Sequence, residues 1–262
     1  MEPQTQKPSR GPQSQFQTGH EVPVQQMKKP GLQSQMEKPQ PTSTQIPSED
    51  QEEEEDAQET KRRVEEAGQK CYLLATDLRR KENCKKVVET ALEKLGGIDI
   101  LVNNAGTQTM LPDISDLDES QWESTFDTNI HPVFYLSKYT MPHLKSGSSI
   151  INCASVNPYI GRPDLLDYTS TKGAMVAFTR GLSNQQCSKG IRVNAVCPGP
   201  VWTPLIPATM TTEAIEQFSG TPMGRAGQPS EIATCFVFLA SQDSSFISGQ
   251  CLHPNGGVVL NG

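Results

Sequence analysis

The sequence predicts a doubly wound, parallel α/β domain preceded by a disordered tail, and three observations predict it. Short runs that are apolar on both faces (CYLLAT, IDILV, SIINC and IRVNAVC) alternate with longer stretches of helical spacing. That is the pattern of a parallel sheet covered by helices on both sides. Motifs rich in Asn, Gly or Pro stand directly after two of those runs and a serine just after a third, at the strand ends where this class of fold places its ligands. Residues 1–48 hold eight prolines and eleven glutamines without hydrophobic periodicity, which is too little apolar surface to offset the entropy of ordering.

Composition sets the outer limits. The 262 residues are enough for one domain and a tail. Hydrophobic residues make up 34% of the chain, and the shortfall sits in the first sixty residues. A net charge of −7 argues against a general nucleic-acid binder, which needs a basic face. Seven scattered cysteines without a C-x-x-C pair argue against a metal site or a redox dithiol. They read as reduced thiols of a cytoplasmic protein. No apolar run approaches the roughly 18 residues of a membrane span, and the N-terminus lacks the apolar core of a signal peptide.

The elements follow in order. Residues 1–56 divide off as a Gln/Pro-rich tail and an acidic linker, and residues 57–262 as the folded part. The acidic run from Glu49 to Asp56 reads as a solvated linker or as the entry to a helix, whose N-terminus favours negative charge. A helix is expected over residues 56–67, with Gly68 as its stop. A strand is expected over 71–76, and a helix over 83–95 with Val87, Val88, Ala91, Leu92 and Leu95 on one side. Gly96-Gly97 ends that helix, and a strand follows over 98–102. Residues 119–144 read as one long helix with Trp122, Phe126, Ile130 and Phe134 at four-residue steps, kinked at Pro132. Then come a strand over 149–153, a helix over 164–187 and a strand over 191–197 that Pro198-Gly199-Pro200 ends. Residues 205–218 show only a mixed helical pattern. A helix over 230–240 and a short strand over 250–253 complete the chain.

Four features carry chemistry. Asn103-Asn104-Ala105-Gly106 follows IDILV, Ser155 follows SIINC, and Pro198-Gly199-Pro200-Val201-Trp202-Thr203 follows IRVNAVC. The fourth is the pair Tyr168 and Lys172, four residues apart (172 − 168) and so on one helix face. A free phenol titrates near 10. A fixed ammonium beside it lowers that value and makes the tyrosine a general acid or base. Each feature alone also reads as something plainer: a surface pair, a turn serine, two turns. Asn129, a poor helix former inside a helix, also reads as a solvent-facing residue.

Together these features resemble the short-chain dehydrogenase/reductase family. The matching pieces are LVNNAG, Asn129, Ser155, Tyr168-x-x-x-Lys172 and RVNAVCPGPVWTP, in the family's order and spacing, with SGQCLHPNGG resembling its last strand. The resemblance runs from about residue 57 to the C-terminus. It is strongest to glucose and ribitol dehydrogenase homologs and their bacterial general-stress relatives, whose tails are similar to Lys29-Pro-Gly…Met36-Glu-Lys-Pro39.

The resemblance implies a Rossmann-type fold and hydride transfer between NADP or NAD and a carbonyl or alcohol carbon of a sugar, polyol or aldehyde. By it, Tyr168 passes the proton, Ser155 holds the substrate oxygen, and Lys172 lowers the tyrosine pKa and binds the nicotinamide ribose. Asn129 would hold a water of a proton relay. Asp77 and Leu78 would meet the adenine, and Asn104, Ala105 and Gly106 the adenosine ribose side. Pro198, Gly199, Val201 and Thr203 would meet the nicotinamide. It implies a homo-oligomer formed through the helices around Phe134 and Tyr168, with Met175 and Phe178 as contact or core residues, and no nucleic-acid or membrane partner.

The family also begins with a strand, a turn of the form T-G-x-x-x-G-x-G, a helix and a second strand. No such turn is found: Gly11, Gly19, Gly31 and Gly68 are the glycines before Gly96. The expectation is therefore a domain truncated by the loss of its first strand–helix–strand unit, with half of the cofactor site missing. That leaves three readings open: an oxidoreductase by descent, an inactive short form that partners a full-length homolog, and an enzyme whose pocket another chain completes.

Overall fold

The computed structural model describes residues 49–210, 214 and 220–260, with side chains from residue 55 onward. The expected disordered tail over 1–48 lies outside the described residues, as does most of the mixed helical stretch after residue 210. The first element is α1 (Glu49–Glu66), so the acidic run forms the start of the helix. Further along the helix, Arg62 bonds Glu59 and Glu66, and Arg63 bonds Glu59. Gly68, at φ 77°, follows the helix end.

The expected strand over 71–76 does not form. The segment runs without regular structure, and Tyr72, Leu73 and Leu74 are 47%, 39% and 41% exposed. A strand needs a neighbour for its backbone groups, and no described strand lies beside this one. Helix α2 (Lys81–Leu95) follows and ends as expected at Gly96, whose φ of 79° allows its N–H to reach the Leu92 carbonyl.

Among the described residues, four parallel strands form the sheet: β1 (Ile100–Asn103), β2 (Ser149–Cys153), β3 (Arg192–Val196) and β4 (Cys251–Leu252). They stand in the order β1-β2-β3-β4. The register sets Leu101 beside Ile150, Asn152 beside Ala195, and Ala195 beside Cys251. Alternation then sends Leu101, Asn103, Ile150, Asn152 and Ala195 to one face and Ile100, Val102, Ile151 and Val196 to the other.

The long helix expected over 119–144 is two helices. α3 (Glu119–Asn129) and α4 (His131–Thr140) meet at Ile130, whose ψ and φ leave the helical region, and a 3-10 turn over Met141–His143 follows. Pro132 has no N–H to return to the turn before it, and it opens the new helix instead of bending the old one. Next come a short α5 (Asn157–Ile160), the long α6 (Leu166–Gln186), a short α7 (Leu205–Thr209) and α8 (Pro229–Ala240). A reciprocal box between Gln228 and Glu231 caps α8.

Helices α2, α4 and α6 cover one face of the sheet. There Val133, Met175, Val176, Ala195 and Cys197 form one cluster, and Cys84, Val88 and Leu136 another, packed on Leu101. On the other face α8 packs on β2 and β3, where Ile232 and Leu239 meet Ile151 and Val196. β1 has no such cover: Ile100 and Val102 are 47% and 45% exposed. Among the described residues, the outer edge of β1 has no strand beside it. The architecture is a parallel α/β Rossmann-type sheet.

Candidate active site

The carboxyl ends of β1, β2 and β3 open into a cavity of about 770 Å³. Its wall includes Asn104, Ala105 and Gly106 after β1, Ser155 after β2, and Pro198, Gly199, Val201 and Thr203 after β3. Tyr168 and Lys172 enter it from α6. The site residues expected from sequence thus converge, with three exceptions. Asn129 stands just behind the wall. Asp77 and Leu78 are away from it: Asp77 is chelated by Arg79 at 2.9 Å, and Leu78 packs on the α2–α4 cluster.

Lys172 is buried at 3% exposure, and its ammonium donates to the Cys153 carbonyl at 2.7 Å. The same nitrogen lies 5.5 Å from the centre of the Tyr168 ring. Burial pulls the lysine pKa down and pushes the Tyr168 phenol up, and the neighbouring Cys153 adds to the upward push. A hydrogen bond with the Ser155 side chain works in the opposite direction. The expected lowering of the phenol is therefore not what this arrangement gives. The ammonium is turned towards a carbonyl, and desolvation of the phenolate dominates.

Asn129 is fully buried and committed to neighbours. Its Oδ1 accepts from the Thr107 N–H at 2.7 Å, and its Nδ2 donates to the Thr107 carbonyl at 2.9 Å and to Thr171 Oγ1 at 3.1 Å. The side chain clamps the loop after β1 to α6. A water expected at Asn129 would fall to its main-chain carbonyl, since α3 ends at this residue. Gly106 lies in the clamp: a Cβ there would sit 3.4 Å from both Asn129 Oδ1 and Lys172 Nζ. Asn129→Ala is expected to leave the Thr107 groups unpaired and to cost about 2–3 kcal/mol, read as a lower urea midpoint with an unchanged slope.

The strap after β3 is fixed by its backbone. Pro198 accepts from the Val156 N–H at 3.1 Å, Gly199 donates to the Pro254 carbonyl at 3.1 Å, and Trp202 donates to the Gly227 carbonyl at 2.9 Å. Sequence reasoning missed several supporting residues. Asp167 is buried and accepts from Thr125 Oγ1 at 2.6 Å and from the Tyr168 N–H at 2.7 Å, which holds the first turn of α6. Asn152 and Thr179 support Asn103, which opens the expected motif at the end of β1: Asn103 donates to Asn152 at 2.8 Å, and Asn152 to Thr179 at 2.8 Å. The one available signal was an Asn inside each of three apolar strands, since a buried polar side chain needs a partner. Among the described residues, no group of three His, Cys, Asp or Glu is placed to hold a metal, and no helix is long and apolar enough to cross a membrane.

Comparison with known proteins decides the family. A family model described as enoyl-(acyl carrier protein) reductase matches residues 44–259. General stress protein 39 of Bacillus subtilis is 54% identical over 206 residues, which is 78% of this chain and 72% of that protein. The chain is a short-chain dehydrogenase/reductase.

Other members of the short-chain dehydrogenase/reductase family fit the same picture. NADPH-dependent aldehyde reductase 1 of Arabidopsis thaliana is 52% identical over 215 residues, covering 80% of this chain and 75% of that one. The crystal structure of a glucose/ribitol dehydrogenase from Brucella melitensis superposes with a TM-score of 0.67 at 38% identity, covering 72% of this chain and 76% of the other. The chain is thus related to glucose/ribitol dehydrogenases and general-stress oxidoreductases within an NAD(P)-dependent family.

Proposed function

We propose that this chain transfers a hydride between NADP or NAD and a carbonyl or alcohol carbon of a sugar, polyol or aldehyde. The observation that carries the reading is the convergence of Ser155, Tyr168 and Lys172 on one cavity beside the 198–203 strap. The wall fits the nicotinamide-ribose half of the cofactor. Gly106 leaves open the space a Cβ would take beside the Lys172 ammonium, and Lys172 is a buried donor facing that space. Lys172 would hold the ribose hydroxyls, and the Pro198–Thr203 strap the carboxamide end. When bound, the cofactor supplies the hydride.

The chain's own residues supply position and protons. Ser155 would hold the substrate oxygen through its hydroxyl, and Tyr168 would give that oxygen its proton in reduction or take it in oxidation. The raised phenol pKa sets the pH dependence. A protonated Tyr168 is the form reduction needs, so kcat/KM for reduction should stay level through neutral pH and fall only at alkaline pH. Oxidation needs the phenolate and should rise with pH. The Ser155 bond lowers the phenol pKa, so Ser155→Ala should move the rising oxidative limb to higher pH, besides slowing turnover. Rate profiles in both directions check the sign.

The direct test is NAD(P)H oxidation followed by absorbance with a small aldehyde. Turnover above a no-enzyme control is expected, and its absence with both cofactors would overturn the reading. In the same proposal, residues 57–262 form the catalytic domain behind a 1–56 segment, the protein is a cytoplasmic homo-oligomer, and Asp77 and Leu78 meet the adenine. A second reading is favoured by the open edge of β1 and the absence of a Gly-rich turn among the described residues: an inactive form that pairs with a full-length homolog. Co-purification with such a homolog, together with no cofactor binding by the chain alone, would favour it.

A further inference from the structure

The segment that leaves the site at Ser155 and returns to it at Tyr168 puts one more charged group on the cavity wall. Arg162 lines the cavity and is tied to Asp164, with Nε 2.5 Å from Oδ1 and Nη2 2.8 Å from Oδ2. The Asp164 carbonyl in turn accepts from the Leu111 N–H at 3.0 Å, and Leu165 beside it is buried at 2%. The guanidinium is therefore held at its partner as well as at its base. Two of its nitrogens are committed to the carboxylate. Nη1 has no hydrogen-bond partner among the described residues.

Building on the oxidoreductase reading, we propose that Arg162 is a specificity-determining residue. Its Nη1 donates to a hydroxyl oxygen of the substrate, so the cavity takes polyhydroxylated aldehydes and polyols over unsubstituted ones of the same length. The ion pair with Asp164 cancels the charge, which removes the pull on an anion and leaves directed N–H donors. Ile160 and Leu165, from the same segment, give the wall an apolar surface on either side of Arg162 in sequence. An alkyl chain laid there would strip water from Nη1 and return no acceptor, whereas a hydroxyl would replace the lost bond. The rigid tether matters because a donor already in place loses little freedom when the substrate binds.

The test compares erythrose with butanal, two four-carbon aldehydes that differ in their hydroxyls, using wild type and Arg162→Leu. Loss of one charged hydrogen bond should lower kcat/KM for erythrose by about 10–100-fold, with butanal within about twofold and the cofactor KM unchanged. Arg162→Lys, which keeps a donor, should recover part of the erythrose rate. An equal fall for both aldehydes, or no change for either, would overturn the proposal. Should wild type reduce neither aldehyde, the oxidoreductase reading fails, and binding then decides this one separately. Saturation-transfer NMR with erythritol should show contact with wild type that Arg162→Leu loses. Equal or absent signals in the two proteins would overturn it.

Discussion

Tyr168→Phe is expected to cut aldehyde reduction by about 10²–10⁴-fold, the range for removal of a general acid. The ring would remain in place and only the hydroxyl would go, so the fold should keep its thermal midpoint within a few degrees. The surroundings of the phenol explain the size of the effect. The Lys172 ammonium points at the Cys153 carbonyl, and the Ser155 hydroxyl, though freed in the variant, is a much weaker acid than a phenol, so neither replaces the lost proton donor well. Purified wild type and variant should be compared at equal cofactor saturation. A variant with more than about a tenth of the wild-type rate would mean that the proton reaches the substrate oxygen from elsewhere.

Gly199→Ala should be the most damaging change of a single methyl in the strap. The new Cβ would lie 2.7 Å from the Asn255 Cα and 2.9 Å from its carbonyl oxygen. Both are backbone atoms, and Asn255 is itself fixed by its side chain, which donates to the Val258 carbonyl at 2.7 Å and accepts from the Gly257 N–H at 3.1 Å. Relief requires the strap or the 254–258 turn to move. A cost of about 1–3 kcal/mol is expected for such overcrowding, seen as a thermal midpoint lower by several degrees. Because the strap forms one wall of the cavity, cofactor affinity should fall as well. Gly181→Ala is the control: that position has open space around its would-be Cβ, and the midpoint should hold.

Much of this arrangement was legible in the sequence because it depends on local pattern. Runs such as SIINC and IRVNAVC are apolar on both sides, and the glycines and prolines at their ends mark where the chain turns back. The four-residue step from Tyr168 to Lys172 fixes their shared helix face without any tertiary information. What could not be read depends on neighbours. CYLLAT has the composition of a strand, yet strand formation is settled by a partner for its backbone, and the described residues give it none. The pKa of Tyr168 needs the competition between burial and the ammonium to be weighed, and burial is a property of the packed molecule. The two-helix break at Ile130 was half visible, since Pro132 announced a disturbance but not whether the helix would bend or restart.

The sheet's order has a consequence for how the protein is made. Its described strands stand side by side in the order in which a ribosome would release them. Each new strand can therefore add to the one before it without threading past finished structure. The hydrophobic cover of one face, however, comes from α8, which emerges after β3 and packs on β2 and β3. Until it arrives, Ile151 and Val196 lie bare on a growing chain. The nascent protein is thus most adhesive late in synthesis, when chains that have released β3 but not α8 would be expected to bind holdase chaperones most strongly.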